Sequence, residues 1–238
     1  SQPTTYILFS RLSVALSQYA YLCVLAFSCT CDTSSGPQQF PAVQIDAGQG
    51  NVVMTDSNNY AYFLLGSQWY KMGSLTLKHV SVGPAGIWGV ALDDRVYKYV
   101  AGSFVFANGQ TLQQVDAGGD GQVVGVTDTS TIHCLKSTIA SDYRKQSTLS
   151  WTTITGGLMY VSCSSKYGCW GVNSTSHHIL DGLAVKVETG TDGSVFVVTK
   201  DGEVFQSSGK LPGKPGQTHS SNVSACYKSN TNTPIIGQ

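Results

Sequence analysis

The chain repeats one short block five times, and this repeat limits the possible folds more than any other feature. Each copy has an apolar residue, a polar Asp, Ser or Glu, one further residue and usually Gly, followed by a short gap and an apolar triplet. The five copies begin at Ile45, Val80, Val115, Val161 and Val187. Their apolar triplets are centred on Val53, Trp88, Val124, Trp170 and Phe196. Nine residues after each centre comes an aromatic or apolar residue in four copies and a histidine in one: Tyr62, Tyr97, His133, Ile179 and Phe205. A constant offset with drifting residue identity indicates a repeated supersecondary unit.

The second copy shows what one unit contains. Segments 77–82, 87–90, 96–100 and 104–106 have the apolar or alternating character of strands, and turn residues separate them. Four short strands in a repeat of 35 residues, without a helix pattern, are typical of a propeller blade. The sequence therefore predicts an all-β propeller of five to six four-stranded blades, incomplete toward its C-terminus, with an insertion at 136–150 and with blades that begin near Val43, Leu77, Leu112, Leu158 and Ala184.

The two ends of the chain differ in composition from the repeats. Residues 1–28 contain a largely apolar run with Arg11 near its start and small residues after it, as in a secretory signal. A buried strand or an amphipathic first element is the alternative, and polar residues within the run argue against a membrane span. We therefore divide the chain into a signal or targeting segment at 1–28, a linker at 29–42, propeller repeats at 43–208 and a divergent low-complexity segment at 209–238.

The cysteines agree with export. Cleavage after Ala26 or Ser28 would remove Cys23 and leave six of the seven cysteines, an even number that is typical of disulfides in a secreted chain. Cys163 and Cys169 flank a short turn and are the natural local pair. A zinc site is the weaker interpretation, because their spacing lacks the tight Cys-x-x-Cys chelate and no second cluster accompanies them.

Charge and side-chain chemistry narrow the classes of function. The 14 basic and 14 acidic residues balance without forming a basic face, which argues against nucleic-acid binding and favours an uncharged polar partner. The histidines lie in different repeats, and no Ser or Cys stands in a nucleophile motif. Asp46, Asp116 and Glu188 share one repeat position with Ser81 and Ser162, so we interpret them as structural residues at the propeller centre. We expect neither enzymatic activity nor a cofactor or metal.

Several of these segments resemble a known family. Residues 77–90, 114–120, 169–173 and 187–196 are similar to the tectonin repeat of fish egg lectins, and the resemblance runs from about Val43 to about Phe205. It implies a secreted propeller of six blades that binds N-acetylglucosamine-type sugars and bacterial lipopolysaccharide in innate defence of eggs. The C-terminal segment departs from the family's sixth repeat, which leaves open whether five or six blades form.

Sugar binding needs an aromatic face for C–H surface and polar groups for hydroxyls. Trp88 and Trp170 centre second strands and are expected in the core, whereas Trp69 and Trp151 lie on outer strands and are expected to be exposed. The candidate ligand-binding residues are Trp69 and Trp151 with the turn residues Asp94, Asp120, Asp128, Asn173 and Asp192, and an Asx turn is the alternative role for each polar one. A secreted glycan-binding lectin is the first hypothesis. The second is a protein-interaction propeller that docks an egg-coat or immune partner, and either could form a homo-oligomer.

Overall fold

The computed structural model describes residues 41–143, 148–173, 184–206 and 236–237, and nearly all of their regular structure is β-strand. The elements in chain order are β1 (Ala42–Gly48), β2 (Asn51–Asp56), β3 (Tyr60–Leu65), β4 (Gln68–Gly83), β5 (Gly86–Ala91), β6 (Arg95–Val100), β7 (Ser103–Thr111), β8 (Gln114–Asp116), β9 (Val123–Val126), β10 (Ile132–Leu135), α1 (Ser137–Asp142), β11 (Thr152–Ile154), β12 (Tyr160–Ser164), β13 (Gly168–Val172), β14 (Ala184–Thr189), β15 (Val195–Thr199), β16 (Val204–Gln206) and β17 (Ile236–Gly237).

In the described part of the chain, the strands form five blades that follow the sequence repeat, and their strands pair antiparallel except at β17. Blade 1 contains β1 to β3 and the first part of β4, and blade 2 contains the rest of β4 with β5 to β7. Blade 3 is β8 to β11 and blade 5 is β14 to β16. In blade 4, β12 pairs with β13, and the short β17 joins β13 in parallel. The predicted all-β propeller architecture is confirmed, and the first strands begin within two residues of the predicted starts.

Strand β4 explains how two blades connect without a loop. Its 16 residues pair with β3 as far as Thr76 and with β5 from Leu77 onward. One strand is therefore both the outermost strand of blade 1 and the innermost strand of blade 2. The sequence correctly predicted an outer strand in blade 1 and a first strand of blade 2 from Leu77, but no turn separates these two strands.

Apolar side chains fill the interfaces between successive blades. Val53, Ala61 and Met72 of blade 1 pack with Leu77 and Val80 of blade 2 in one buried cluster. A second cluster, centred on the fully buried Trp88, joins blades 2 and 3. The blade interfaces therefore provide the core, as burial of apolar surface requires in a repeat architecture.

The insertion in blade 3 folds onto the interface between blades 2 and 3. It contains α1, a helix of six residues, and its Ala140, Tyr143 and Leu149 are buried in the Trp88 cluster. Lys98 of β6 donates to the carbonyl oxygens of Ala140 at 2.6 Å and of Ser141 at 3.2 Å near the end of α1. A cation at a helix C-terminus is favourable, so this lysine fixes the insertion to blade 2.

The innermost strands approach one another closely because the repeated block ends in Gly. A Cβ atom built on Gly48 would lie 2.3 Å from the carbonyl oxygen of Val82, and one on Gly83 would lie 2.0 Å from that of Ala117. A Cβ on Gly118 would similarly lie 2.3 Å from the carbonyl oxygen of Cys163. Any larger residue would push the inner strands of neighbouring blades apart.

Candidate functional site

Polar side chains on the inner strands of blades 1 to 4 cap the inner edge of the next blade. An inner strand pairs with one strand of its own blade only, so alternate backbone groups on its other edge need partners. Asp46 Oδ2 accepts from the Val82 amide at 2.8 Å, Ser81 Oγ accepts from the Ala117 amide at 2.8 Å, and Ser162 Oγ accepts from the Thr189 amide at 3.0 Å. Asp116 in turn accepts from the Cys163 amide.

Two glutamines complete this arrangement. Gln44 accepts from the Val80 amide at 2.9 Å and donates to the Val80 carbonyl at 2.8 Å. Gln114 makes the same pair of contacts with Val161, at 3.0 Å and 2.8 Å. We call the set Gln44, Asp46, Ser81, Gln114, Asp116 and Ser162 the inner-edge ladder. Its contacts support the structural interpretation of the repeated Asp and Ser residues.

A second polar network crosses the centre of the propeller. His79 Nε2 of blade 2 lies 3.2 Å from the Tyr160 hydroxyl of blade 4. Tyr160 donates to Glu188 Oε1 at 2.9 Å, and Ser162 donates to Glu188 Oε2 at 3.3 Å. Contact between non-adjacent blades shows that the inner strands curve around a common centre.

The central groups have strongly shifted pKa values. Burial, followed by the charge of Asp46, raises the pKa of Glu188 to about 8. Burial also raises the pKa of Asp46, and burial together with the charges of Asp46 and Glu188 raises that of Asp116. Burial and the charges of Lys186 and Lys78 lower the pKa of His79 to about 3. Within the described ranges, no group of three His, Cys, Asp or Glu side chains could hold a metal ion.

The five predicted polar turn residues do not converge on one place. Consecutive turns of an antiparallel blade lie at opposite ends of that blade. Asp120 and Asp192 lie between first and second strands, whereas Asp94, Asp128 and Asn173 follow second strands. The two groups therefore lie at opposite ends of their blades. Asp120, Asp128 and Asp192 are exposed, and Asn173 is half-buried. Asp192 accepts from the Ser194 amide and hydroxyl, both at 2.9 Å, so it also forms the Asx turn that was the alternative role.

Asp94 links two blades. Its carboxylate forms an ion pair with Lys78 and accepts from Gln113 Nε2 at 3.0 and 3.1 Å. Gln113 precedes the inner strand of blade 3, whereas Asp94 follows the second strand of blade 2. These contacts give Asp94 a structural role in the described part of the chain, while a role in ligand binding stays a prediction.

The expectation that Trp69 and Trp151 are exposed is wrong. Both are half-buried. Trp69 packs against the cluster of Ala42, Met54 and Tyr62, and Trp151 packs against the cluster around Trp88. Their outer-strand positions suggested exposure, but apolar side chains of their own blade and the folded insertion cover part of each ring. The predicted core position of Trp88 is confirmed, and Trp170 is half-buried.

The predicted pair of Cys163 and Cys169 forms a disulfide. The two residues are direct cross-strand neighbours in β12 and β13. Cys134 is also disulfide-bonded, in agreement with the expectation that the cysteines pair.

Sequence reasoning missed the aromatic residues that are exposed on the outer strands. Tyr70 and Phe106 are each 44% exposed. The Tyr70 ring stacks on Phe63 with centroids 5.5 Å apart, and Phe106 lies 5.7 Å from the Tyr97 ring. The alternation Tyr97-x-Tyr99 and Phe104-x-Phe106 was a signal that could have identified them, because alternate residues of a strand share one face.

Comparison with known proteins places these features in a family. The chain is 37% identical over 131 residues to the fish-egg lectin of Cyprinus carpio, an alignment that covers 48% of this chain and 54% of the carp protein. The chain thus spans about half the length of this curated relative. Among solved structures, YCF48 from Cyanidioschyzon merolae superposes with a TM-score of 0.50 at 11% identity, covering 77% of this chain and 71% of that one. The WD40 β-propeller domain of Doa1 gives a TM-score of 0.49 at 10% identity, covering 71% and 64%.

The match to a family model extends over most of the chain. Residues 41–233 match the tectonin domain, a range that includes every described strand except β17. The resemblance noted in the repeats is therefore confirmed, and the chain belongs to the tectonin domain family.

Proposed function

We propose that this protein is a secreted, non-enzymatic lectin that binds N-acetylglucosamine-type glycans or bacterial lipopolysaccharide in the defence of eggs. The observation that carries the proposal is the 37% identity to a protein named fish-egg lectin, together with membership of the tectonin family. A protein surface poor in charge suits hydroxyl-rich ligands, since only 12% of the residues are charged.

The cysteine chemistry supports an extracellular location. The disulfide between Cys163 and Cys169 and the bonded state of Cys134 are typical of oxidising compartments. No helix among the described residues has the length and apolar character needed to cross a bilayer.

The structural role of the inner-edge ladder supports a binding protein over an enzyme. Asp46 and Asp116 hold backbone amides of the next blade, and Glu188 accepts from Tyr160 and Ser162. A glycosidase needs two carboxyl groups that flank a scissile bond, which conflicts with carboxylates committed to holding strands.

A glycan array tests the proposal. Purified protein should bind arrayed N-acetylglucosamine-bearing glycans, and free N-acetylglucosamine should elute it from a glycan resin. Weak single sites on several blades would give an avidity that rises steeply with ligand density. Binding to an unglycosylated egg-coat protein, with no response to any glycan, would instead favour the protein-interaction propeller. Turnover of chito-oligosaccharide would contradict the non-enzymatic assignment.

A further inference from the structure

The chain contains the dipeptide Asn-Gly once, at Asn108 and Gly109. Both residues are exposed, and they lie in β7, the outer strand of blade 2. Phe106 and Thr111 of β7 have partners in β6, whereas residues 107–110 between them have no partner in that strand and form a bulge. The dipeptide therefore lies at the surface and is not held by pairing with β6.

The fold requires glycine at position 109. Gly109 has a φ of 153°, a backbone conformation that residues with a side chain rarely adopt. A Cβ atom at this position would also lie 2.6 Å from the Leu149 carbonyl oxygen and 3.0 Å from Trp151 Cδ1. The close approach of the insertion of blade 3 therefore keeps a glycine directly after Asn108.

The same dipeptide holds one end of the insertion. The Leu149 amide donates to the Asn108 carbonyl oxygen at 2.7 Å, and Asn108 Nδ2 donates to Thr148 Oγ1 at 3.1 Å. The Leu149 side chain is buried in the Trp88 cluster. A change in the backbone at Asn108 would therefore act on the contact through which the insertion covers the interface between blades 2 and 3.

We propose that Asn108 is a site of spontaneous deamidation and that its isoaspartate product releases the insertion from β7. The Gly109 amide nitrogen attacks the side-chain carbonyl carbon of Asn108, a C–N bond forms, and the carboxamide nitrogen leaves as ammonia. Water then opens the cyclic imide at one of its two carbonyls and yields aspartate or isoaspartate. The reaction needs no oxidant, and glycine favours it because no side chain hinders the attacking nitrogen.

The two products differ in their effect on the insertion. Aspartate leaves the backbone unchanged, and the Thr148 hydroxyl can donate to the new carboxylate instead of accepting from the amide. Isoaspartate directs the backbone through the former side chain and so adds one carbon atom before Gly109. The insertion approaches Gly109 too closely to admit even a Cβ atom. We therefore expect isoaspartate, and not aspartate, to displace Leu149.

Asn51 provides a control within the same molecule. It is also exposed, and its side-chain amide donates to the Gln49 carbonyl oxygen at 3.1 Å. The residue after it is Val52, whose branched side chain hinders attack by the backbone nitrogen. Exposure and side-chain hydrogen bonding are thus matched between Asn51 and Asn108, and the following residue differs.

The test is to age the purified full chain in mildly alkaline buffer and to map its peptides by mass spectrometry after reduction and digestion. In the folded protein, Asn108 should deamidate at least about tenfold faster than Asn51. Asn108→Gln keeps a carboxamide, but its longer side chain disfavours the five-membered imide, so this variant should remain unreacted at position 108. Equal rates at Asn108 and Asn51, or reaction at Asn108 only in urea, would overturn the proposal.

Limited proteolysis measures the release of the insertion. Aged protein that contains isoaspartate should be cleaved within 136–150 several-fold faster than fresh protein. Asn108→Asp carries the new charge on an unchanged backbone and should be cleaved at the wild-type rate, as should aged Asn108→Gln. Equal cleavage of aged and fresh wild-type protein would refute release of the insertion. Fast cleavage of fresh Asn108→Asp would refute the role of the lengthened backbone, because charge alone would then explain the effect.

Discussion

Replacing Gln114 by Met should destabilise the protein substantially although it preserves side-chain size. Gln114 is buried and satisfies both the amide and the carbonyl of Val161, at 3.0 Å and 2.8 Å. Methionine fills a similar volume but leaves two backbone groups without these partners. Each buried unsatisfied group costs roughly 1–3 kcal/mol, so losing both partners should lower the free energy of unfolding by about 2–6 kcal/mol.

Urea denaturation with the disulfides intact measures this loss. The midpoint should fall while the slope m stays constant, and the melting temperature should fall by several degrees for each kcal/mol. Gln206→Met is the matched control because Gln206 is exposed at the end of β16. If the two variants differ by less than about 0.5 kcal/mol, a size appropriate to surface substitutions, the ladder does not contribute as argued.

Three further changes probe other parts of the fold. Gly83→Ala should destabilise by about 1–3 kcal/mol in thermal unfolding, because its Cβ would lie 2.0 Å from the Ala117 carbonyl oxygen. Lys98→Met should accelerate proteolysis within 136–150, because it removes the donor that holds the end of α1. Glu188→Gln should flatten the loss of stability between about pH 4.5 and pH 8. The folded pKa of Glu188 is raised from 4.5 to about 8, so its favourable contribution is complete below pH 4.5 and is lost as pH rises toward 8.

The first two of these changes have matched controls, and a variant of His79 tests the acidic end of the pH profile. Gly157→Ala places a Cβ at ordinary distances of 3.7 Å or more and should be mild, so equal losses would argue against close strand approach. Lys200→Met alters an exposed lysine and should not affect cleavage of the insertion. His79→Gln should reduce the loss of stability at acidic pH. Burial lowers the pKa of His79 from 6.5 to about 3, so the stability that depends on neutral His79 is lost as pH falls below 6.5. If the variant loses stability at acidic pH as steeply as the wild type, His79 is not buried in its neutral form.

The local parts of this fold follow from the sequence, whereas the long-range contacts do not. Blade positions and the Cys163–Cys169 pair depend on patterns within about one repeat, and both were predicted. The partner of Gln114 lies 47 residues away, and that of Lys98 lies 42 residues away. Such contacts depend on how blades pack, which periodicity does not encode.

The candidate binding residues were harder to predict for the same reason. Asp94 has the chemistry of an exposed turn residue, yet Lys78 of β4 and Gln113, which precedes β8, both contact it. Trp151 directly precedes the outer strand β11, but the insertion folds back beside it. Exposure is set by neighbours distant in sequence, so turn chemistry alone identifies polar loops without showing which of them face a ligand.

The inner-edge ladder gives the propeller a direction. Each of blades 1 to 4 uses its own side chains to complete the blade that follows it, as Asp46 does for Val82 and Ser162 does for Thr189. Deleting blade 5 would leave the inner edges of blades 2 to 4 capped, whereas deleting blade 1 would expose the backbone of Val80 and Val82 in blade 2. Successive blades are therefore not equivalent modules: loss from the N-terminal side should propagate into the next blade, and loss from the C-terminal side should remain local.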